Sequence, residues 1–178
     1  ETLFDIARIL AEPEEFDEKA NRVLEELARV AKAEIATLRV PDEGARGLRL
    51  VAQNGGRAYE RPGDQRFDLG VLSWAFRRGL PVVANDYPSH PNAEPSAVAQ
   101  GVRSVVSVPV KAGSRNLGVI TLASLEPGHF TPERVSMLAA VADGLGALLE
   151  NARLVQAARR AQEAEPLRNQ ELEALFHI

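Results

Sequence analysis

Two pairs of short segments in this chain keep a period of two, and a turn-rich connector separates the members of each pair. Residues 34–40 read EIATLRV and 47–53 read GLRLVAQ, with PDEGAR between them; residues 103–110 read RSVVSVPV and 116–124 read NLGVITLAS, joined by KAGSR. Alternation places successive side chains on opposite faces of a strand, and a short polar connector returns the chain antiparallel. The chain therefore has to build a sheet containing two hairpins. Positions 36, 38, 40, 48, 50, 52, 106, 108, 110, 120 and 122 are all apolar, so the even face is expected to be the dry one. Odd positions mix Ile35, Val51, Val105 and Val119 with Thr37, Arg39, Arg49, Gln53, Ser107, Pro109 and Thr121.

Helical periods bracket the strands. Phe16, Ala20, Val23, Leu24, Leu27, Val30 and Ala31 form one apolar stripe, and a shorter stripe of Leu3, Phe4, Ile6, Ile9 and Leu10 precedes it, with Pro13 between. After a polar segment at 54–66, GVLSWAFRRG (70–79) reads as a short helix closed by Gly79, LPVVA as a brief strand, and PSAVAQG (95–101) as about two helical turns. From Thr131, an expected N-cap followed by Pro132, one long helical pattern runs until Pro166, which is expected to kink or end it before LRNQELEALFHI resumes. No internal repeat or low-complexity tract is present.

Composition narrows the function classes. With 178 residues and 45% apolar content the chain suits one domain plus a short extension. A formal net charge of −4 with the signs interspersed gives no basic surface, so direct contact with nucleic acid is not expected. Cysteine is absent, which removes disulfides, thiolate metal sites, thiol nucleophiles and thioether attachment of a cofactor. No stretch approaches the roughly 18–20 apolar residues of a membrane span, and the start lacks a signal pattern, so no membrane association and a cytoplasmic location are expected. The absence of an initiator Met at Glu1 suggests a piece of a longer protein.

The order helix, helix, hairpin, helix, strand, loop, helix, hairpin, long helix resembles the GAF domain of bacterial signalling proteins. The strings GVLSWAFRRGLPVVANDYPSHP, GVRSVVSVPV, NLGVITLAS and HFTPERVSMLAAVADGLGALLENARL carry the resemblance, which spans about residues 1–153 and leaves 154–178 as a helical linker. It implies an α+β fold: a central antiparallel sheet, terminal helices on one face, and a ligand pocket under the two short helices on the other. Cyclic-nucleotide-binding members of that family carry Asn-Lys, then Phe, three residues and Asp-Glu; here those places hold Ala123, Ser124, Phe130, Arg134 and Val135, which disfavours a cyclic nucleotide. Bilin attachment and methionine-sulfoxide reduction in this fold both depend on Cys.

The candidate ligand-binding residues are Thr37, Trp74, Asp86, Tyr87, His90, Ser107 and Thr121. Hydroxyls at Thr37, Ser107 and Thr121 either orient a ligand in an apolar pocket or belong to a half-covered face. Trp74, the single Trp, either packs in the core or stacks on a ligand. The loop NDYPSHPN is built of turn-forming residues and also, by the resemblance, borders the pocket mouth, so it reads as a rim or lid. His90 could serve as an axial haem ligand. His90, His129 and His177 have no metal-binding spacing, and no catalytic set is legible.

The expectation is a small-molecule sensor, not an enzyme, in a protein such as a sensor histidine kinase or transcription regulator. Its alternative is a ligand-free dimerisation or spacer module. Leu138, Val141, Leu145, Leu148, Ala152 and Val155 follow spacings of three and four, an expected seam for a parallel homodimer through the terminal helices.

Overall fold

The computed structural model describes residues 2–11, 16–42, 47–56 and 70–176. They form α1 (Thr2–Ala11), α2 (Phe16–Ala31), β1 (Ile35–Pro41), β2 (Leu48–Asn54), α3 (Gly70–Arg78), β3 (Val82–Ala84), α4 (Pro95–Ala99), β4 (Ser104–Ala112), β5 (Arg115–Ser124) and α5 (Pro132–Phe176). The polar segment expected at 54–66 lies mostly outside the described residues. Among the described residues no helix is long and apolar enough to cross a membrane.

The strands make one antiparallel sheet of order β2-β1-β5-β4-β3. Alternation decides which face meets which helices. Even residues Ala36, Leu38, Val106, Val108, Val110, Ile120 and Leu122 are buried with Ala20, Val23, Leu24 and Leu27 of α2 and Leu138, Val141 and Leu145 of α5. Ile6 and Ile9 of α1 join the same core. Each fully buried Leu or Ile there contributes about 1.5–3 kcal/mol relative to exposure. The odd face takes α3 and the loops around α4 instead.

Strand β2 departs from the expected alternation. Leu38 pairs with Ala52 but Arg39 pairs with Leu50, so Val51 is the extra residue of a bulge. Beyond it the facing inverts: Val51 packs against the helix-side core, whereas Leu48 is buried with Leu72, Ala75 and Val119 under α3. Leu48, Leu50 and Val51 are all apolar, so the pattern held no trace of the slip.

Of the two outcomes expected at Pro166, the end of the helix does not occur, since α5 continues through it to Phe176. Pro166 removes one N–H and so frees the carbonyl of Gln162, a residue exposed to water. Ala, Leu, Glu, Gln and Arg dominate both flanks, and their helix propensity carries the chain across.

The helix starts on a cap. The Arg134 N–H donates to Thr131 Oγ1 at 3.4 Å, and Glu133 has its carboxyl held below the usual range by backbone hydrogen bonding first and the Thr131 hydroxyl second. Further along, Gly146 sits against β4. A Cβ there would lie 1.9 Å from the Lys111 carbonyl oxygen, so only glycine lets helix and strand approach this closely. Gly146→Ala is therefore expected to lower the urea-measured unfolding free energy by about 1–3 kcal/mol despite alanine's better helix propensity. A stability gain would show that the contact is not tight.

Candidate functional site

A cavity of about 70 Å³ lies between the odd face of the sheet and the short-helix layer. Its floor is Ile35, Thr37 and Arg39 of β1, Val105 of β4, and Thr121 and Ala123 of β5. Its roof is Val71 and Leu72 of α3, Tyr87, Glu94, Ala97 of α4, and Val102.

Register arranges the floor in rows. Ile35 lies opposite Ala123, which lies opposite Val105, giving an apolar row. The next row is polar across four strands: Gln53 faces Thr37, Thr37 faces Thr121, and Thr121 faces Ser107. Ser107 and Thr121 hydroxyls hydrogen-bond at 2.8 Å. The Gln53 carboxamide donates to the Gly55 carbonyl at 2.8 Å, while its own oxygen is buried without a hydrogen-bond partner among the described residues. The third row holds Arg39 opposite Val119. Arg39 is only 6% exposed, and its Nη1 donates to Thr37 Oγ1 at 3.0 Å. A buried guanidinium is costly to hold away from water, and its interactions, the hydrogen bond to Thr37 among others, offset that cost.

The roof is anchored at both ends of α3. Gly79, at φ 64°, donates its N–H to the Ala75 carbonyl at 2.9 Å, Lys111 Nζ donates to the Gly79 carbonyl, and Asn116 Nδ2 to the Phe76 carbonyl. At the other end, a Cβ added to Gly70 would come within 3.2 Å of Glu94 Oε1, so this carboxylate stands at the helix N-terminus, where a negative charge is favoured. The Glu94 N–H donates to the Tyr87 hydroxyl at 2.9 Å, and the Tyr87 N–H to the Arg103 carbonyl at 2.8 Å.

Of the residues singled out in the sequence, Thr37, Tyr87 and Thr121 come together in the cavity wall. Ser107 is fully buried beside Thr121 but not in the lining; it is one step further along the row, opposite Val82 of β3. Trp74 is outside both the cavity and the core at 38% exposure, with the Arg78 guanidinium 4.3 Å from its ring centre. Helical phase explains this: Val71, Leu72 and Ala75 take the inward positions of α3 and turn Trp74 outward. Asp86 is exposed at the start of a 3-10 turn (Tyr87–Ser89) and accepts the Ser89 N–H through its backbone carbonyl at 3.2 Å. His90 is half-buried, and its Nδ1 accepts the Asn92 N–H at 3.1 Å, a local turn contact outside the cavity wall.

Sequence reasoning passed over four polar residues here. Among the described lining residues Arg39 and Glu94 are the charged ones; Arg39 was visible as the one charge among odd positions of β1, whereas Glu94 had no signal. Asn85 clamps the loop, donating from Nδ2 to the Phe130 carbonyl and accepting the Phe130 N–H on Oδ1, both at 3.0 Å. His129 is buried, with Nε2 donating to the Ala31 carbonyl at 2.7 Å, which ties the end of α2 to the entry of α5. Among the described residues no three His, Asp or Glu converge as a metal site.

A five-stranded antiparallel sheet with terminal helices on one face and a roofed cavity on the other defines an α+β sensor-type domain. The GAF domain model matches residues 13–150, and the chain belongs to the GAF domain family, whose members are regulatory sensor domains in signalling proteins. The fold is similar to the GAF domain of a phosphoenolpyruvate-protein phosphotransferase from Coxiella burnetii, at 22% identity and a TM-score of 0.78, covering 88% of this chain and 95% of that one. It is also similar to the free methionine-R-sulfoxide reductase from Neisseria meningitidis solved with its substrate, at 23% identity and a TM-score of 0.78, covering 87% and 90%. A domain of a two-component sensor histidine kinase protein from Sinorhizobium meliloti is similar at 17% identity and a TM-score of 0.67, covering 82% and 98%. No curated protein matches the chain.

Because the Tyr87 hydroxyl receives a backbone N–H from the roof, Tyr87→Phe is expected to cost about 0.5–1.5 kcal/mol in denaturant unfolding. An unchanged midpoint would show that the roof does not depend on that bond.

Proposed function

We propose that this chain is the small-molecule-sensing unit of a signal-transduction protein, with the ligand held between the odd sheet face and the roof of α3 and α4. The supporting observation is the cavity itself, where Thr37, Arg39, Thr121 and Tyr87 stand among apolar walls, the mixture typical of small-molecule sites. Thr37, Tyr87, Thr121 and the adjacent Ser107 are assigned to ligand contact or to holding a contact residue; Asp86 and His90 are assigned to the rim, and Trp74 stands outside the cavity lining. The reductase neighbour solved with its substrate is compatible with a fold that admits a small molecule, although thiol chemistry has no nucleophile here. Regulation rather than turnover is the reading that this composition favours.

The output passes through α5, which leaves the sheet after Leu149 and continues as a helix to Phe176. Residues 1–153 form the sensing unit and 154–178 the link toward an output domain. In the seam, Leu138, Val141 and Leu145 are consumed by the domain's own core, so a second copy has to use what lies beyond. Phe4 is 73% exposed, Leu154 51% and Val155 52%, with Ala158 and Ala161 also exposed. A helix of this length away from a core is marginal alone in water, and a second copy packed along α1 and α5 would cover these side chains. The small cavity volume favours the alternative of a ligand-free dimerisation module.

Native mass spectrometry against the denatured mass separates the two readings: a non-covalent adduct lost on denaturation is expected for a sensor. With ligand bound, Thr121→Val or Ser107→Ala is expected to change affinity more than threefold, and smaller effects from both would remove the hydroxyl row from the site. Sedimentation at tens of micromolar is expected to show a dimer; a clean monomer would leave α5 as a tether only.

A further inference from the structure

The tip of the β4–β5 hairpin reaches both layers of the molecule, and a bulge decides which side chain goes where. Val110 pairs with Gly118 but Lys111 pairs with Asn116, so Leu117 is an extra residue in β5. Without it, alternation from Ile120 and Leu122 would turn Asn116 to the dry face and Arg115 to the cavity face. With it, Asn116 stands beside Lys111 on the cavity face, and Arg115, opposite Ala112, turns toward α5.

Each side of the tip holds a helix. On the cavity side, Lys111 Nζ donates to the Gly79 carbonyl and Asn116 Nδ2 to the Phe76 carbonyl, so the last turn of α3 is bound to the tip. On the other side, Arg115 pairs with Glu150 of α5 at 3.3 Å. One turn earlier, Gly146 rests on the Lys111 backbone, where a Cβ would meet the carbonyl oxygen at 1.9 Å and the nitrogen at 3.1 Å. The ion pair is exposed and therefore weak, so the contact at Gly146 is what seats the helix. Leu148 and Leu149 are the last described α5 residues that pack against the core. The tip therefore grips α5 where it leaves the sheet.

We propose that this hairpin tip is a mechanical coupler between the cavity roof and the departing helix, with Lys111 as the shared part: its side chain holds α3 and its backbone carries α5. A displacement of α3 pulls on the bond at the Gly79 carbonyl and shifts the strand on which Gly146 rests. A displacement of α5 acts in reverse, since a coupling free energy is reciprocal. The use of this coupling in signalling rests on the sensor reading; the coupling itself needs no ligand.

Trp74 reports the seating of α3, because it is the single Trp, lies on that helix and is 38% exposed. In the full 178-residue chain, Gly146→Ala pushes on the Lys111 backbone from the α5 side. The acrylamide quenching constant of Trp74 is expected to change about twofold, and adding Lys111→Met is expected to abolish that response. Near-ultraviolet circular dichroism reports whether each variant keeps its fold. A milder perturbation leaves the core alone: Glu150→Gln weakens the exposed pair with Arg115. It is expected to move the amide resonances of Phe76 and Gly79, across the sheet, in a proton–nitrogen correlation spectrum, and to leave them in place in the Lys111→Met background. Unchanged quenching in a folded Gly146→Ala chain, or a change that survives Lys111→Met, overturns the proposal. Should Gly146→Ala not fold, the Glu150→Gln spectra decide it: no movement at Phe76 and Gly79, or movement that survives Lys111→Met, overturns it equally. Neither measurement uses a ligand, so a failure here leaves the sensor reading standing, and a chain that binds no ligand leaves the coupling standing.

Discussion

Strand β5 is hydrogen-bonded along both edges, to β1 on one side and β4 on the other, and the molecule is built outward from that double pairing. A strand fixed on both edges cannot slip without turning its whole apolar set to the wrong side, so the register of β5 fixes the faces of its neighbours. Ile120 and Leu122 point to α2 and α5, and from there Leu38 and Val106 to Val110 in β4 have no choice of side. On the opposite face the same register brings Thr121 between Thr37 and Ser107. The polar row and the dry core are two consequences of one alignment. Gly118 completes it: a Cβ there would lie 2.6 Å from the Arg39 carbonyl oxygen, so the close approach of β5 to the backbone that carries the buried guanidinium requires a residue without one.

That guanidinium changes the energetics of the odd face. An apolar side chain at position 39 would give this sheet a second hydrophobic layer, and α3 and α4 would simply close on it. Arg39 instead carries charge into a region covered by Val71, Leu72 and Val102, at a desolvation cost that hydrogen bonding to Thr37 offsets in part. A domain selected for stability alone gains little from such an arrangement.

Much of this architecture was written in local pattern, and the exceptions have physical reasons. The even-odd division was legible in β1, β4 and β5 because only the dry face is uniformly apolar there. It failed in β2 because the bulge at Val51 inserts a residue where both neighbours on the chain are apolar, and a shift of register among Leu, Val and Leu leaves no mark in hydrophobicity. Trp74 misled through size: a large aromatic is expected inside, but its helical phase and the nearby Arg78 hold it at the surface. The roles of Asn85 and His129 were not legible because their partners are backbone groups far along the chain, Phe130 and Ala31, which sequence spacing cannot bring together. Pro166 does not end its helix, a strong local breaker there being outweighed by the cumulative propensity of its flanks.

The two faces of the sheet meet a mechanical problem that their separation creates. The cavity and the α5 core contacts lie on opposite sides, and among the described residues lining the cavity none belongs to α5. Besides the hairpin tip, two physical routes connect them. One runs through the sheet, since Thr121 and Ile120 are consecutive and Ile120 packs in the core with Leu138 and Leu145; moving β5 by a fraction of an ångström disturbs a close-packed interior. The other runs around the edge, from Tyr87 through Asn85 to Phe130, at the threshold of α5, where Arg134 also donates to the His129 carbonyl. The second route is made of directional bonds between a loop that roofs the cavity and the connector that launches the helix, so a shift of Tyr87 is transmitted without deforming the core. Whichever route dominates, a ligand biases the helix only by the difference in its affinity for two arrangements, and tight binding alone moves nothing. Under the proposed sensor reading, a ligand in the cavity would meet the roof loop that also bonds to the α5 connector, which would make the position of that loop, rather than the shape of the sheet, the natural variable for a signal.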